Sequence, residues 1–188
     1  MTSVFLEKPS LSGRPNIVLA GFMGSGKTTV GRLLADRLQC SFVDMDALIE
    51  EREGRTISDI FAVDGEPYFR SVERSLVREL SARQGLVIAT GGGVVADAEN
   101  VRDFERTGLL VCLDATPEQI MQRIAHETHR PLLAAPDREQ RIRDLLNQRR
   151  AAYASVSFHV DTNGRTPAEV VERILEELEE RVRDSSIS

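Results

Sequence analysis

Short apolar runs alternate with amphipathic stretches along the chain. Asn16-Ile17-Val18-Leu19-Ala20 is apolar on consecutive positions and is closed by Gly21, which predicts a strand buried on both faces. From Thr28 to Leu38, Val30, Leu33, Leu34 and Leu38 recur at helical spacing. Ser41-Phe42-Val43 reads as a strand, and Asp46 to Arg52 as a helix that opens on acids. Ile57, Ile60 and Phe61 mark a short helix ended by Asp64-Gly65. Tyr68 to Leu80 carries Val72, Leu76, Val77 and Leu80 on one face, a longer helix. Strands are expected at Leu86–Ala89, Leu109–Leu113 and Phe158–Val160. Helices are expected at Asp97–Arg106, from Pro117, at Arg138–Ala154 and at Pro167–Arg183. Strands alternating with helices predict a parallel sheet covered on both faces.

The remaining segments are polar. Residues 1–14, with Pro9, Gly13 and several serines, read as a flexible arm ahead of one domain over 15–184. Arg130 to Pro136 reads as a Pro-flanked loop within a lid over about 124–137. A length of 188 residues fits that single domain. Asp and Glu outnumber Lys and Arg by 30 to 24, a net charge of −6, and there is no tryptophan. That balance argues against a nucleic-acid-binding protein. No apolar run approaches the roughly 20 residues that span a bilayer, and the first residues hold no signal-peptide stretch. A cytoplasmic protein with no membrane partner is the expectation. Cys40 and Cys112 read as reduced, buried small hydrophobes. His126 and His129 stand at i and i+3 with no obvious third ligand and His159 alternates within a strand, so all three read as non-catalytic and a Cys- or His-type metal site is not expected.

One segment carries specific chemistry. Gly21-Phe22-Met23-Gly24-Ser25-Gly26-Lys27-Thr28 matches G-x-x-x-x-G-K-[ST], after a strand and before a helix. Backbone N–H groups of such a loop turn inward on phosphate oxygens, and the helix N-terminus adds positive charge. Gly24, Ser25, Gly26, Lys27, Thr28 and Thr29 are therefore candidate nucleotide contacts, with Lys27 aimed at the β- and γ-phosphates. Asp44 and Asp46 follow the second strand. Alone they read as helix caps; beside a phosphate loop, Thr28 and Asp44 become candidate ligands of Mg²⁺ and Asp46 a partner of the acceptor hydroxyl. Arg70 and Glu73, at i and i+3, read equally as an exposed ion pair. Gly91-Gly92-Gly93 follows the third strand, where backbone can approach a ligand closely. Arg130 could reach a transferring phosphoryl group from a lid. Arg149 lies four before Tyr153, with Arg150 beside it, and spacing does not choose between the arginines.

Taken in order, these motifs resemble the shikimate kinase family over about residues 16–180. The matching set is the phosphate loop, Asp44-x-Asp46, Gly65-Glu66 with Phe69-Arg70 and Glu73, the triple glycine, and Arg130-Pro131-Leu132-Leu133. Arg149 with Tyr153, and Asp161-Thr162-Asn163 with Arg165, complete it. The family often has Pro-Leu before the matching tyrosine; here Ala151-Ala152 stands there. The resemblance implies a three-layer P-loop fold of the nucleoside-monophosphate-kinase type, with a five-stranded parallel sheet, working as a monomer. It implies ATP-dependent, Mg²⁺-assisted phosphorylation of the 3-hydroxyl of shikimate. Lys27, Asp46 and Arg130 would be catalytic. Asp46, Arg70, Gly92 and Arg149 would hold shikimate, and Arg165 would lie near the adenine. A gluconate-type sugar-acid kinase and a catalytically silent nucleotide-binding module are the alternatives.

Overall fold

The structure, a computed structural model, describes residues 14–124 and 138–185. Five strands form one wholly parallel sheet: β1 (Asn16–Ala20), β2 (Ser41–Asp44), β3 (Leu86–Ala89), β4 (Gly108–Asp114) and β5 (Phe158–Asp161). Their order is β2-β3-β1-β4-β5. Among the described residues, eight α-helices connect and cover them: α1 (Lys27–Leu38), α2 (Met45–Glu53), α3 (Ile57–Val63), α4 (Gly65–Ser81), α5 (Ala98–Thr107), α6 (Pro117–Ile124), α7 (Arg138–Ala154) and α8 (Pro167–Ser185).

Period-two alternation along the strands splits the core into two layers. Ile17, Leu19, Phe42, Val87, Val111 and Val160 face one way and pack on α1 and α8. Val18, Ala20, Val43, Ile88, Leu110 and Cys112 face the other way, beneath α2, α4, α5, α6 and α7. β1, β3 and the middle of β4 are apolar on both faces because both are covered, whereas β5 alternates, with Phe158 and Val160 buried and His159 and Asp161 exposed. Buried Asn16 ties β1 to its surroundings: its Nδ2 donates to Arg83 O at 2.8 Å, and its Oδ1 accepts from Leu86 N at 3.0 Å.

Expected and observed elements coincide except at their ends. The α4 helix begins at Gly65 rather than Tyr68, because first-turn N–H groups need no intrahelical partner and Pro67 fits there. A short 3₁₀ turn, Val94–Ala96, joins the glycine turn to α5 and is not visible as a period in the sequence. The arm expected over 1–14, apart from Arg14, lies outside the described residues. So does the lid apart from Ile124, with Arg130, His126 and His129.

The chain leaves β1 toward β2 over the α1 face, and leaves β3 toward β4 over the α5 face. Connections diverging from neighbouring parallel strands open a crevice at their carboxyl ends. The phosphate loop follows β1 and the triple glycine follows β3, so both border that crevice.

Candidate active site

The loop after β1 is shaped by backbone that only glycine adopts easily. Gly24 has φ of 74° and Gly26 of 102°. Gly26 is the N-cap of α1 and offers no side-chain cap, whereas Asp44, Thr56 and Asp97 cap α2, α3 and α5. The first-turn N–H groups of α1 thus face the crevice without a capping side chain, as an anion site requires. Lys27 Nζ donates to Gly21 O at 2.8 Å and to Phe22 O at 2.9 Å, which holds its charge at the rim of the loop.

Thr28 Oγ1 donates to Asp44 Oδ2 at 2.9 Å. The other oxygen of Asp44 accepts from Ala47 N at 3.4 Å, so one carboxylate both caps α2 and meets the phosphate loop. A hydroxyl and a carboxylate converging here are hard oxygen donors, the set that suits Mg²⁺. The buried hydroxyls of Ser25 and Thr90 have no hydrogen-bond partner among the described residues, and both line the same crevice. The residues present therefore fit a polyphosphate with its metal ion.

The triple glycine is where the second half of the site converges. A methyl group at Gly91 would sit 2.6 Å from Asp46 Oδ1 and 3.2 Å from Glu73 Oε1. One at Gly93 would sit 2.6 Å from Arg70 Nη1. Gly92 O accepts from Tyr153 OH at 2.7 Å and from Arg149 Nη1 at 3.2 Å. A side chain at Gly91 or Gly93 would overlap Asp46 or Arg70, and one at Gly92 would crowd Arg149 at 3.2 Å.

Arg70 and Glu73 are more than the surface pair their spacing allowed. Glu73 is only 2% exposed and accepts from Arg70 Nη1 at 2.8 Å, while Arg70 also reaches Glu66 at 2.9 Å. Burial pushes the Glu73 carboxyl above its usual range, Arg70 opposes the shift, and Asp46 adds to it. The structure also separates Arg149 from Arg150. Arg149 lines the cleft, with its guanidinium carbon 6.0 Å from the centre of the Phe22 ring; Arg150 is exposed. Ile57, Phe61 and Phe69 supply an apolar wall.

Gly24, Ser25, Gly26, Lys27, Thr28, Thr29, Asp44, Asp46, Arg70, Gly92, Arg149 and Arg165 thus line one cleft of about 560 Å³. Arg130 lies outside the described residues. Arg123, also in the lining, escaped the sequence reading. Its Nη1 donates to Gly24 O at 3.3 Å, Ser25 O at 3.2 Å and Thr162 Oγ1 at 3.0 Å, and its Nη2 donates to Thr162 O at 2.7 Å. Those partners are remote in sequence, and no local pattern sets this arginine apart from its neighbours.

The family model for shikimate kinase matches residues 23–179. This chain belongs to the shikimate kinase family. It is 47% identical over 165 residues to a shikimate kinase of Pelotomaculum thermopropionicum, covering 88% of this chain and 96% of that protein. A solved shikimate kinase from Acinetobacter baumannii, in complex with shikimate, superposes with a TM-score of 0.83 at 39% identity, covering 90% and 95% of the two chains. A gluconokinase from Sinorhizobium meliloti has a TM-score of 0.60 at 20% identity, covering 92% and 96%, and shares the fold alone.

Proposed function

We propose that the cleft binds ATP over Gly21–Thr28 and shikimate over Gly91–Gly93, and transfers the γ-phosphoryl group to the 3-hydroxyl of shikimate. The observation that carries this reading is the continuity of the cleft. One end is a phosphate cradle, and the other brings two acids, Asp46 and Glu73, and two arginines around a bare glycine turn. Arginines bind a carboxylate in bidentate fashion, and an aspartate accepts from hydroxyls. A hydroxylated ring acid matches both.

Arg70 and Arg149 grip the carboxylate, and Gly92 lets the ring approach the backbone. Asp46 accepts the hydrogen bond of the attacking hydroxyl and takes its proton as the bond to phosphorus forms. The bond from the γ-phosphorus to the bridging oxygen breaks, and ADP leaves with the electron pair. Lys27 must swing from the carbonyls of Gly21 and Phe22 to meet the negative charge on the transferred group. Arg130 is assigned to the same charge, and Arg165 to the adenine, by their places in the family pattern. Mg²⁺ would be held by Thr28 and Asp44 and would neutralise charge on the β- and γ-phosphates. Positioning and electrostatics account for the catalysis, as expected of a loose phosphoryl transfer. A monomer is the working unit proposed, by resemblance to the family.

The test is ADP release from ATP with shikimate, with gluconate and with no acceptor. Stimulation by shikimate alone is the expected result. Equal stimulation by gluconate would move the assignment to the sugar-acid kinases, and none with any acceptor would leave only nucleotide binding.

A further inference from the structure

Cys112, Asp114 and His159 play no part in the reaction just described, yet three different ligand types meet there. Cys112 and Asp114 are at i and i+2 on β4 and so point to the same face of the sheet. His159 on β5 is the register partner of Cys112. It is flanked by Phe158 and Val160, which point into the opposite layer, so its ring lies on the Cys112 side. The three ligand atoms all lie within 4.8 Å of one another. The sequence reading did not expect a Cys- or His-type metal site, because the ligands come from two strands 45 residues apart and only the register unites them.

The hydrogen bonds around the imidazole point to a cation. His159 Nε2 lies 3.0 Å from Val156 O, a carbonyl that can only accept, so this nitrogen carries a hydrogen. In the neutral ring Nδ1 then holds a lone pair, and it faces Asp114 Oδ2 at 2.9 Å. Two acceptors at that distance need a positive centre: a proton on the ring, or a metal ion. An imidazole whose second nitrogen donates to a backbone carbonyl is also the usual arrangement of a metal-ligating histidine. Sulfur meets the same carboxylate, to whose other oxygen the Cys112 thiol donates at 3.5 Å. Ligand-to-metal distances of about 2.0–2.3 Å put neighbouring ligand atoms of a tetrahedral ion roughly 3.3–3.7 Å apart, so ligand atoms within 4.8 Å of one another close on an ion by side-chain movements of about 1 Å.

We propose that Cys112, Asp114 and His159 form a binding site for a thiophilic divalent cation of the zinc class, with the fourth position open to solvent beside Asp114. Side chains of Asp114 and His159 are 48% and 35% exposed, which gives the ion a way in. A sulfur ligand selects an ion with strong affinity for thiolate. That requirement excludes Mg²⁺ from this position and keeps the site distinct from the oxygen donors Thr28 and Asp44.

The site is coupled to the nucleotide cradle through backbone. Its two β4 ligands flank Leu113, whose carbonyl oxygen is 2.6 Å from where a Cβ on Gly21 would lie. Asp114 O accepts from Thr162 N and Thr162 Oγ1, both at 2.9 Å, and Thr162 in turn holds Arg123. Cysteine and imidazole ligands two strands deep therefore sit directly behind the loop that takes the phosphates.

Co²⁺ is the probe, titrated into the metal-free full-length protein. The expected result is a thiolate-to-cobalt charge-transfer band in the near ultraviolet with tetrahedral d–d bands, abolished by Zn²⁺. Cys112→Ser should lose the charge-transfer band, Asp114→Asn and His159→Gln should weaken binding by about tenfold or more, and Cys40→Ser should leave it intact. Zinc K-edge absorption on the wild-type protein, which needs no variant to fold, should show one sulfur at about 2.3 Å. No charge-transfer band in the wild type, its survival in Cys112→Ser, or a zinc environment of nitrogen and oxygen only would overturn the proposal.

Discussion

Glu73 holds Arg70 across one turn of α4, at 2.8 Å, with the acid 2% exposed and the guanidinium open to the cleft. The pair acts as a bracket: the buried carboxylate fixes the direction of the arginine, and the arginine makes burial of the acid tolerable. Removing the negative charge while keeping the shape should loosen the bracket. Glu73→Gln is expected to raise KM for shikimate about fivefold and leave KM for ATP unchanged, since a charged hydrogen bond exceeds a neutral one by roughly 1 kcal/mol. Steady-state kinetics with each substrate varied in turn checks this.

The same substitution carries a pH signature. The folded-state pKa of Glu73 is raised, so its protonated form is favoured by folding. Its contribution to stability is therefore fully present below the usual carboxyl range and is lost as pH rises through the raised value. Glutamine does not titrate. Thermal melts should show Glu73→Gln gaining on the wild type as pH rises through and above the usual carboxyl range. A gap that moves in the wild type's favour would mean that the ion pair with Arg70 outweighs burial.

Gly93 has an ordinary backbone conformation, so its need is for space. An added methyl would stand 2.6 Å from Arg70 Nη1, the movable end of a long side chain. Gly93→Ala should therefore cost little stability but displace the guanidinium. The expected outcome is a melting temperature within a few degrees of wild type and a KM for shikimate raised by about tenfold. Loss of stability without a change in KM would show the glycine to be needed for folding instead.

How far the sequence reveals this site depends on the range of each contact. The strands were legible because apolar runs buried on both faces have no competing pattern, and the phosphate loop because one continuous segment builds it. Asp44 and Asp46 were legible once that loop was recognised. Glu73 looked like half of a surface pair, since i and i+3 spacing does not say which face of α4 is covered. Arg149 and Arg150 could not be separated before α7 was docked, because adjacent residues differ only in helical phase. Arg123 was invisible: its acceptors are carbonyls 98 and 99 residues earlier in the chain. The pairing of Cys112 with His159 needed strand order as well as register.

Helical phase makes a sharp contrast available. Arg149 Nη1 reaches Gly92 O at 3.2 Å and its guanidinium lies over Phe22, while Arg150 is exposed. Arg149→Ala should raise KM for shikimate by roughly 10- to 100-fold, the loss of a charge-assisted pair. Arg150→Ala should stay within about twofold of wild type. Equal effects, or the reverse order, would reassign the carboxylate partner.

Arg123 offers the complementary test on the nucleotide side. Its guanidinium gathers the carbonyls of Gly24, Ser25 and Thr162. Truncation leaves those oxygens to water and frees the phosphate loop from the β5 end of the sheet. Arg123→Ala should raise KM for ATP by about tenfold or more, because hydrogen bonds to a charged group contribute about 1.5–3 kcal/mol. Shikimate binding, at the opposite end of the cleft, should change less than twofold or so. Lys27→Ala should behave differently, lowering kcat by about 100- to 1,000-fold with both KM values nearly kept, since its charge matters most when the phosphoryl group is in flight. Measuring kcat and both KM values for the two variants side by side separates a residue that holds the nucleotide from one that stabilises the transfer. If Arg123→Ala lost kcat alone, the arginine would have to reach the reacting phosphate itself, in conflict with its four bonds to backbone and threonine oxygens.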